Sequence, residues 1–289
     1  MNIINKMIIE FACRLANEIS AKAILLYADV AFELPLEGDH DACFETVLVT
    51  KGTAQLPDNL KRAGITLNIP DVNFTRVGQL KIAVTKGIAL GLFKKGDKLV
   101  CLTGIPRFGY LDSIFVIDVG KEFEIFTSEA ITDITEGVYP EVFGAVLNLS
   151  LELAAQGREG RKVGTIFILG DGDKVLQLSR QMIINPFMGY SEEERNILNP
   201  ELKETIKEFS AIDGAFIIKE NGVIITAGRH LNAALESKDF PQGLGSRHIA
   251  AAGMTSVTHA IAIVVSESSG SVSVFKNGKI FVSIEKPVE

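Results

Sequence analysis

Ala215-Phe216-Ile217-Ile218-Lys219-Glu220-Asn221-Gly222-Val223-Ile224-Ile225-Thr226-Ala227 reads as two short apolar runs on either side of Asn-Gly. Runs of Ile, Val and Phe fit a pleated, buried surface, and Asn-Gly tolerates the positive φ of a tight turn. The pattern predicts a β-hairpin with strands over 215–219 and 223–227, so the second half of the chain is built on a sheet. Asp213-Gly214 stands directly ahead of the first strand. The Asp213 carboxylate is thereby placed at a strand mouth, free to face a cleft. Gly214 and Ala215 carry almost no side chain, which lets a ligand approach the backbone closely. Taken alone, Asp-Gly before a strand also suits a simple turn.

Further along, Gly243-Leu244-Gly245-Ser246-Arg247-His248 leads into a small-residue helix, read over 250–255. A glycine turn, a hydroxyl and Arg-His at a helix N-terminus bring backbone N–H groups, the helix dipole and a guanidinium to one place, an anion site. The same residues also describe a helix capped by Ser246 with an exposed arginine. A buried strand over 261–265 ends in Ser266-Glu267-Ser268, and a hairpin over 271–275 and 279–284 turns at Asn277-Gly278.

On the N-terminal side, Val142, Val146, Leu149 and Leu153 recur at helical spacing, giving an amphipathic helix over 139–156 that stops at Gly157. A buried strand over 163–169 follows. Gly170-Asp171-Gly172-Asp173 lacks both the Gly-Lys-Ser/Thr of a phosphate-binding loop and the closing glutamate of a calcium loop, and reads as a turn. Beyond Asn185-Pro186-Phe187, the acidic run Glu192-Glu193-Glu194-Arg195 reads as a helix start, with a further helix over 200–210.

The first half alternates strands (23–27, 46–50, 65–69, 99–103, 113–118) with a helix over 77–93, the pattern of βαβ units and a largely parallel sheet. Ahead of it, Ile4, Met7, Ile8, Phe11, Leu15 and Ile19 predict an amphipathic helix with that face buried. The acidic stretch 33–41 reads as a solvated connection. Ala21-Lys22-Ala23-Ile24 and Gly96-Asp97-Lys98-Leu99-Val100-Cys101-Leu102-Thr103-Gly104-Ile105-Pro106 resemble the C-terminal domain of pyruvate kinase over residues 1–125. The resemblance implies a fold that serves effector binding and subunit contacts there; without the catalytic barrel, kinase activity does not carry over.

Composition narrows the function classes. A net charge of −7 argues against a nucleic-acid-binding surface. The apolar N-terminus carries Glu10, Arg14 and Glu18, which neither a signal peptide nor a membrane span tolerates. Cys13, Cys43 and Cys101 are widely spaced and odd in number, fitting no disulfide framework or zinc site, with Cys101 read as a buried small hydrophobe. A soluble, cytoplasmic protein is expected, without a membrane or nucleic-acid partner.

Asp213-Gly214-Ala215, the Gly245-Ser246-Arg247-His248 turn 34 positions after Asp213, and the Val265-Ser266-Glu267 strand end together resemble the diadenylate cyclase domain, in order and in spacing. The likeness covers residues 140–285 and includes Gly157-Arg158-Glu159-Gly160-Arg161, Asn185-Pro186-Phe187 and Gly189-Tyr190. It implies an enzyme that condenses two ATP into cyclic di-AMP with Mn²⁺ or Mg²⁺. By the resemblance, Asp213 lies beside the attacking 3′-hydroxyl and holds the metal, while Arg247 and His248 bind the triphosphate. Ser246 and Ser266 add hydroxyl contacts, Gly214, Ala215 and Leu244 line the nucleoside pocket, and Gly245 and Glu267 belong to the nucleotide-binding set. One domain holds one ATP, so self-association is required.

Three positions depart from the family's habit. Ser246 stands where Thr is frequent and keeps the hydroxyl, Ile249 replaces a third polar residue, and Ser268 stands where a second glutamate is common. The expected architecture is α/β throughout: an N-terminal βαβ domain (1–125) with a largely parallel sheet, then a catalytic α/β domain (126–289) with a mixed central sheet flanked by helices. A soluble cyclase with such an N-terminal domain resembles the archaeal class. The rival reading is a non-catalytic sensor of adenine nucleotides.

Overall fold

The computed structural model describes residues 3–30, 44–52, 64–104, 108–121, 134–232 and 245–285. Leu244, Cys43, Ile105-Pro106 and the acidic stretch 33–41 lie outside the described residues. The chain divides into two compact units, Met1–Ile125 and Phe126–Glu289.

In the first unit, β1 (Ala23–Tyr27), β2 (Glu45–Lys51), β3 (Ile65–Ile69), β4 (Lys98–Thr103) and β5 (Ser113–Asp118) form a sheet in the order β3-β2-β1-β4-β5. The β3-β2-β1-β4 pairings are parallel, and β5 closes the edge antiparallel to β4. Every residue of β1 is buried, as expected of a central strand covered on both faces. Cys101 is fully buried in β4, and burial pushes its thiol pKa up, so it is a packing residue. Helix α2 (Arg76–Ala89) is capped by Thr75, whose hydroxyl accepts from Gly78 N–H at 3.0 Å. It ends earlier than the apolar pattern suggests because Gly91 takes φ +71°. Gly91 and Leu92 N–H then reach back to Ile88 O and Gly87 O, both at 2.9 Å, a Schellman closure.

Helix α1 (Ile3–Glu18) corrects one expectation. Asn5, Ala12 and Ala16 face the sheet, whereas Ile4, Met7 and Phe11 are exposed. Asn5 explains the rotation. Its Nδ2 donates to Val30 O at 3.3 Å and its Oδ1 accepts from Leu111 N–H at 2.7 Å. That buried polar clamp and the small alanines bring the helix close to the sheet on this side, while Ile8, Ile9 and Leu15 pack at the margin.

The second unit carries a seven-stranded mixed sheet, ordered β12-β11-β10-β6-β8-β9-β7. Its strands are β6 (Thr165–Leu169), β7 (Ser179–Gln181), β8 (Ala215–Ile218), β9 (Ile224–Leu231), β10 (Ile261–Val265), β11 (Val272–Lys276) and β12 (Lys279–Ile284). Only β6 and β8 pair in parallel. Helix α3 (Pro140–Gln156) packs on β10 and β11. After the short helices α4 (Gly172–Gln177) and α5 (Lys203–Phe209), α6 (Ser246–Val257) lays Ala251, Ala252 and Met254 on Ile166, Ile168, Ala262, Val264 and Phe275.

Both Asn-Gly pairs form hairpins, with different geometry. Asn277 and Gly278 have φ of +51° and +74°, a two-residue type I′ turn. At the other, Gly222 N–H donates to Lys219 O at 3.0 Å and Gly222 alone takes positive φ, making a three-residue loop with a glycine bulge. Gly170–Asp173 does more than turn the chain: Asp171 takes φ +47° and opens α4. The acidic run at 192–195 makes a single turn and no α-helix. Ser191 and Glu194 form a reciprocal capping box, yet Asn196 Oδ1 accepts from Leu198 N–H at 2.9 Å and diverts the backbone. Among the described residues no helix is long and apolar enough to cross a membrane.

Candidate active site

Topology brings the separated polar pieces to one end of the second sheet. Strands β6 and β8 run in parallel, so residues preceding Thr165 and Ala215 share an end. β10 runs opposite to β6, with Val265 beside Thr165, so residues following Val265 arrive at the same end. Helix α6 precedes β10 by a short connection and packs along it, which returns its N-terminus there as well.

A cleft of about 670 Å³ opens at this end, lined by Arg161, Lys162, Gly245, Ser246, Arg247, His248, Ser266, Glu267 and Ser268. Arg247 organises its acidic side: Nη1 donates to Glu267 Oε2 at 3.1 Å and Nη2 to Asp213 Oδ1 at 3.4 Å. The Asp213 side chain is 82% exposed, so its carboxylate keeps open coordination. Of the predicted residues, Gly245, Ser246, Arg247, His248, Ser266 and Glu267 line the cleft, and Asp213 is joined to it through Arg247.

Gly214 and Ala215 are held by the sheet. Gly214 takes φ +116°, and a Cβ there would come within 2.6 Å of the Gly228 main chain. Ala215 is buried in the core beneath α6. Their small size lets β8 and β9 approach each other, which fixes where Asp213 emerges.

Ser246 is the first residue of α6, not its cap. Gly245 occupies the cap position and, among the described residues, the helix has no side-chain cap, while Ser246 lines the cleft. First-turn N–H groups and the dipole favour an anion at such a terminus. His248 is buried, with its ring edge-on to Phe275 at 5.9 Å, and its Nδ1 has no hydrogen-bond partner among the described residues. Burial lowers its pKa below the ordinary 6.5, so at neutral pH it is an uncharged imidazole. The positive charge of the cleft comes from Arg247, Arg161 and Lys162. Ser266 Oγ accepts from Ser269 N–H and lies beside Ser268 Oγ, each at 3.3 Å, so these hydroxyls also shape the turn they occupy.

Sequence reasoning did not single out Arg161 and Lys162 as site residues. They follow a two-residue turn in which Glu159 and Gly160 take φ of +47° and +73°, closed by paired bonds between Arg158 and Arg161 at 2.8 and 2.9 Å. Arg158 pins this turn to α5, donating from Nε to Glu208 at 2.7 Å and from Nη1 to Glu204 at 2.8 Å. The signal was Gly157-Arg158-Glu159-Gly160-Arg161-Lys162: glycines that permit the reversal, then two cations facing out of it.

As for a metal, no three His, Cys, Asp or Glu side chains gather into a cage among the described residues. Asp213 and Glu267 nevertheless offer carboxylate oxygens next to a cationic cleft. That donor set fits a hard divalent cation held by one or two carboxylates together with phosphate oxygens and water.

Known proteins are similar to the chain over both of its halves. Residues 152–280 match the family described as "DisA bacterial checkpoint controller nucleotide-binding", and residues 5–127 match "Probable sensor domain DacZ_P". A diadenylate cyclase of Methanocaldococcus jannaschii is 38% identical over 68% of this chain and 63% of its own length. One of Haloferax volcanii is 34% identical over 79% of this chain and 83% of its own. The cyclic di-AMP synthase CdaA of Bacillus subtilis is 46% identical over 24% of each chain. With matches of this extent, the chain belongs to the diadenylate cyclase family.

Proposed function

We propose that the chain condenses two ATP molecules into cyclic di-AMP with release of two pyrophosphates. The observation that carries this reading is the cleft in which Arg161, Lys162 and Arg247 meet an uncapped helix N-terminus beside Asp213 and Glu267. Cations and helix N–H groups suit a polyphosphate, and an exposed carboxylate next to them suits an attacking hydroxyl.

In each half-reaction the 3′-oxygen of one nucleotide bonds to the α-phosphorus of the other. The α–β anhydride bond breaks, and the hydroxyl proton is lost towards Asp213. Arg161, Lys162 and Arg247 hold the triphosphate and offset the charge that builds on the leaving pyrophosphate. To do so Arg247 exchanges its bonds to Asp213 and Glu267 for phosphate oxygens, which frees Asp213. Ser246 and Ser266 supply hydroxyl contacts, and neutral His248, packed on Phe275, lines the cleft without adding charge. Asp213 would hold a divalent cation, Mn²⁺ or Mg²⁺, together with the phosphates, and the ion when bound would draw charge from the α-phosphate.

One cleft accommodates one nucleotide, so ring closure requires two catalytic units face to face, and a monomer is inactive. The unit over residues 1–125, with its pyruvate-kinase-like pattern, serves effector binding or assembly. Three cysteines, too widely spaced for a disulfide framework or a zinc site, fit a reducing cytoplasm. Incubating the purified protein with ATP and Mn²⁺ and separating the nucleotides by chromatography with mass detection tests the reading. Cyclic di-AMP is the expected product; ATP that is bound but left intact by oligomeric protein would refute it.

A further inference from the structure

We propose that Gly164 is a positioning residue for Arg247: the missing side chain at this position is the space the guanidinium occupies. Gly164 lies directly ahead of β6, at the end of the sheet where the cleft opens. Its backbone is not in the left-handed region, so no conformational demand requires glycine there. The reason lies in its surroundings. A Cβ at Gly164 would fall 2.5 Å from Arg247 Nη1, 2.9 Å from Arg247 Cζ and 2.8 Å from Glu267 Cβ. Both partners of the 3.1 Å Arg247–Glu267 bond therefore rest on this one residue. A methyl group would move the guanidinium and the stem of the glutamate together.

Other glycines of the unit differ. Gly157 takes φ +62° and faces the Arg161 main chain, and Gly214 takes φ +116° and faces the Gly228 main chain. Those two serve the backbone, and substituting them would disturb the fold. At Gly164 the atoms in the way include the far end of a flexible side chain, so the fold can absorb a methyl group while the position of Arg247 cannot. The nucleotide consequence rests on the function proposed above: a guanidinium pushed off this floor no longer meets the polyphosphate where Arg161 and Lys162 do.

The test compares Gly164→Ala, Arg247→Ala and the double variant in the full chain. Gly164→Ala should weaken ATP binding by calorimetry on the order of 10- to 100-fold, as a displacement of about 1 Å can. The double variant should bind no more weakly than Arg247→Ala alone, because the glycine acts through the arginine. Losses that multiply in the double variant, or wild-type affinity in Gly164→Ala, would overturn the proposal. If Gly164→Ala folds poorly, Arg247→Ala should recover the part of the melting temperature lost to the guanidinium, with the Glu267 Cβ contact left in place; no recovery at all would mean that the guanidinium does not press on this position and also refutes it. A readout without nucleotide is the Arg247 Nε–H resonance, which must shift in Gly164→Ala and sinks the idea if it stays. Should the wild type bind ATP yet release no cyclic product, the proposed reaction fails while the positioning of Arg247 is still decided by these comparisons.

Discussion

Arg76, in the first unit, grips Asp112 with two points, Nε to Oδ1 at 2.7 Å and Nη2 to Oδ2. Arg247, in the second, divides itself between two carboxylates, 3.1 Å from Glu267 and 3.4 Å from Asp213. The first arrangement is closed. Its fork matches the carboxylate, and the Arg76 guanidinium holds the Asp112 pKa below the ordinary carboxylate value. The second is open: long bonds, an exposed aspartate and a cleft alongside. One pairing of residue types thus serves structure in one place and is poised for exchange in another. Geometry tells them apart, where residue identity does not.

The largest effect should come from neutralising the exposed carboxylate. Asp213→Asn is expected to lower the rate of cyclic di-AMP formation about 10²- to 10⁴-fold while leaving ATP binding nearly intact, as a group acting on the hydroxyl should. Steady-state rates and calorimetry on one preparation decide it; a wild-type rate would remove Asp213 from the chemistry.

Next in size is Arg247→Ala, which should weaken ATP binding by about 10- to 100-fold, the worth of a charged hydrogen bond or two, and slow turnover as well. Unchanged binding by calorimetry would mean that its pairing with Glu267 and Asp213 is structural, like that of Arg76, and the contrast between the two arginines would vanish.

Asp112→Asn sharpens the comparison from the closed side. It should cost about 1 kcal/mol of stability and leave ATP binding unchanged. Because the folded pKa of Asp112 is depressed, the pair contributes fully above the ordinary carboxylate pKa of about 3.9 and is lost as pH falls through the lowered value. Acid denaturation of wild type and variant should therefore converge at low pH; a constant gap would contradict the pairing.

The smallest effect concerns His248, whose folded pKa is depressed by burial. Above about pH 6.5 it is neutral in both folded and unfolded chains and adds no pH dependence. As pH falls below 6.5 the unfolded chain takes the proton first, so stability declines until the lowered folded value is passed. His248→Gln should remove that part of the slope between urea midpoints at pH 7.5 and 5.5. An unchanged slope would mean that His248 does not carry it.

Much of the sheet framework was legible because buried strands are short apolar runs between turn residues. Ile65–Ile69, Ser113–Asp118, Ile261–Val265 and Lys279–Ile284 fall where the pattern puts them. In α1 periodicity located the helix and missed its orientation. Small residues pack against a sheet as well as large ones, and a hydrophobic count ignores the two hydrogen bonds that settle Asn5 inward. The turn at 192–195 shows a helix start without a helix, since an asparagine side chain can outcompete the next backbone bond. At the site, Asp213, Arg247 and Glu267 carry recognisable chemistry. Arg161 and Lys162 were hidden because a charged pair after a glycine turn looks like any solvated loop until the sheet returns it to the cleft. Gly164 was invisible, for its contribution is an absence of atoms.

The antiparallel ladder between β6 and β10 sets Thr165 beside Val265 and brings residues 161–164 to Ser266 and Glu267. A slip of two residues would keep every side chain on its proper face and preserve most of the apolar burial, yet it would part these groups by about 6.6 Å, at roughly 3.3 Å per residue. Activity therefore works as a gauge of folding fidelity. A misregistered molecule could be compact and well dispersed and still be silent, so specific activity measures the correctly threaded fraction of a preparation more sharply than secondary-structure content does.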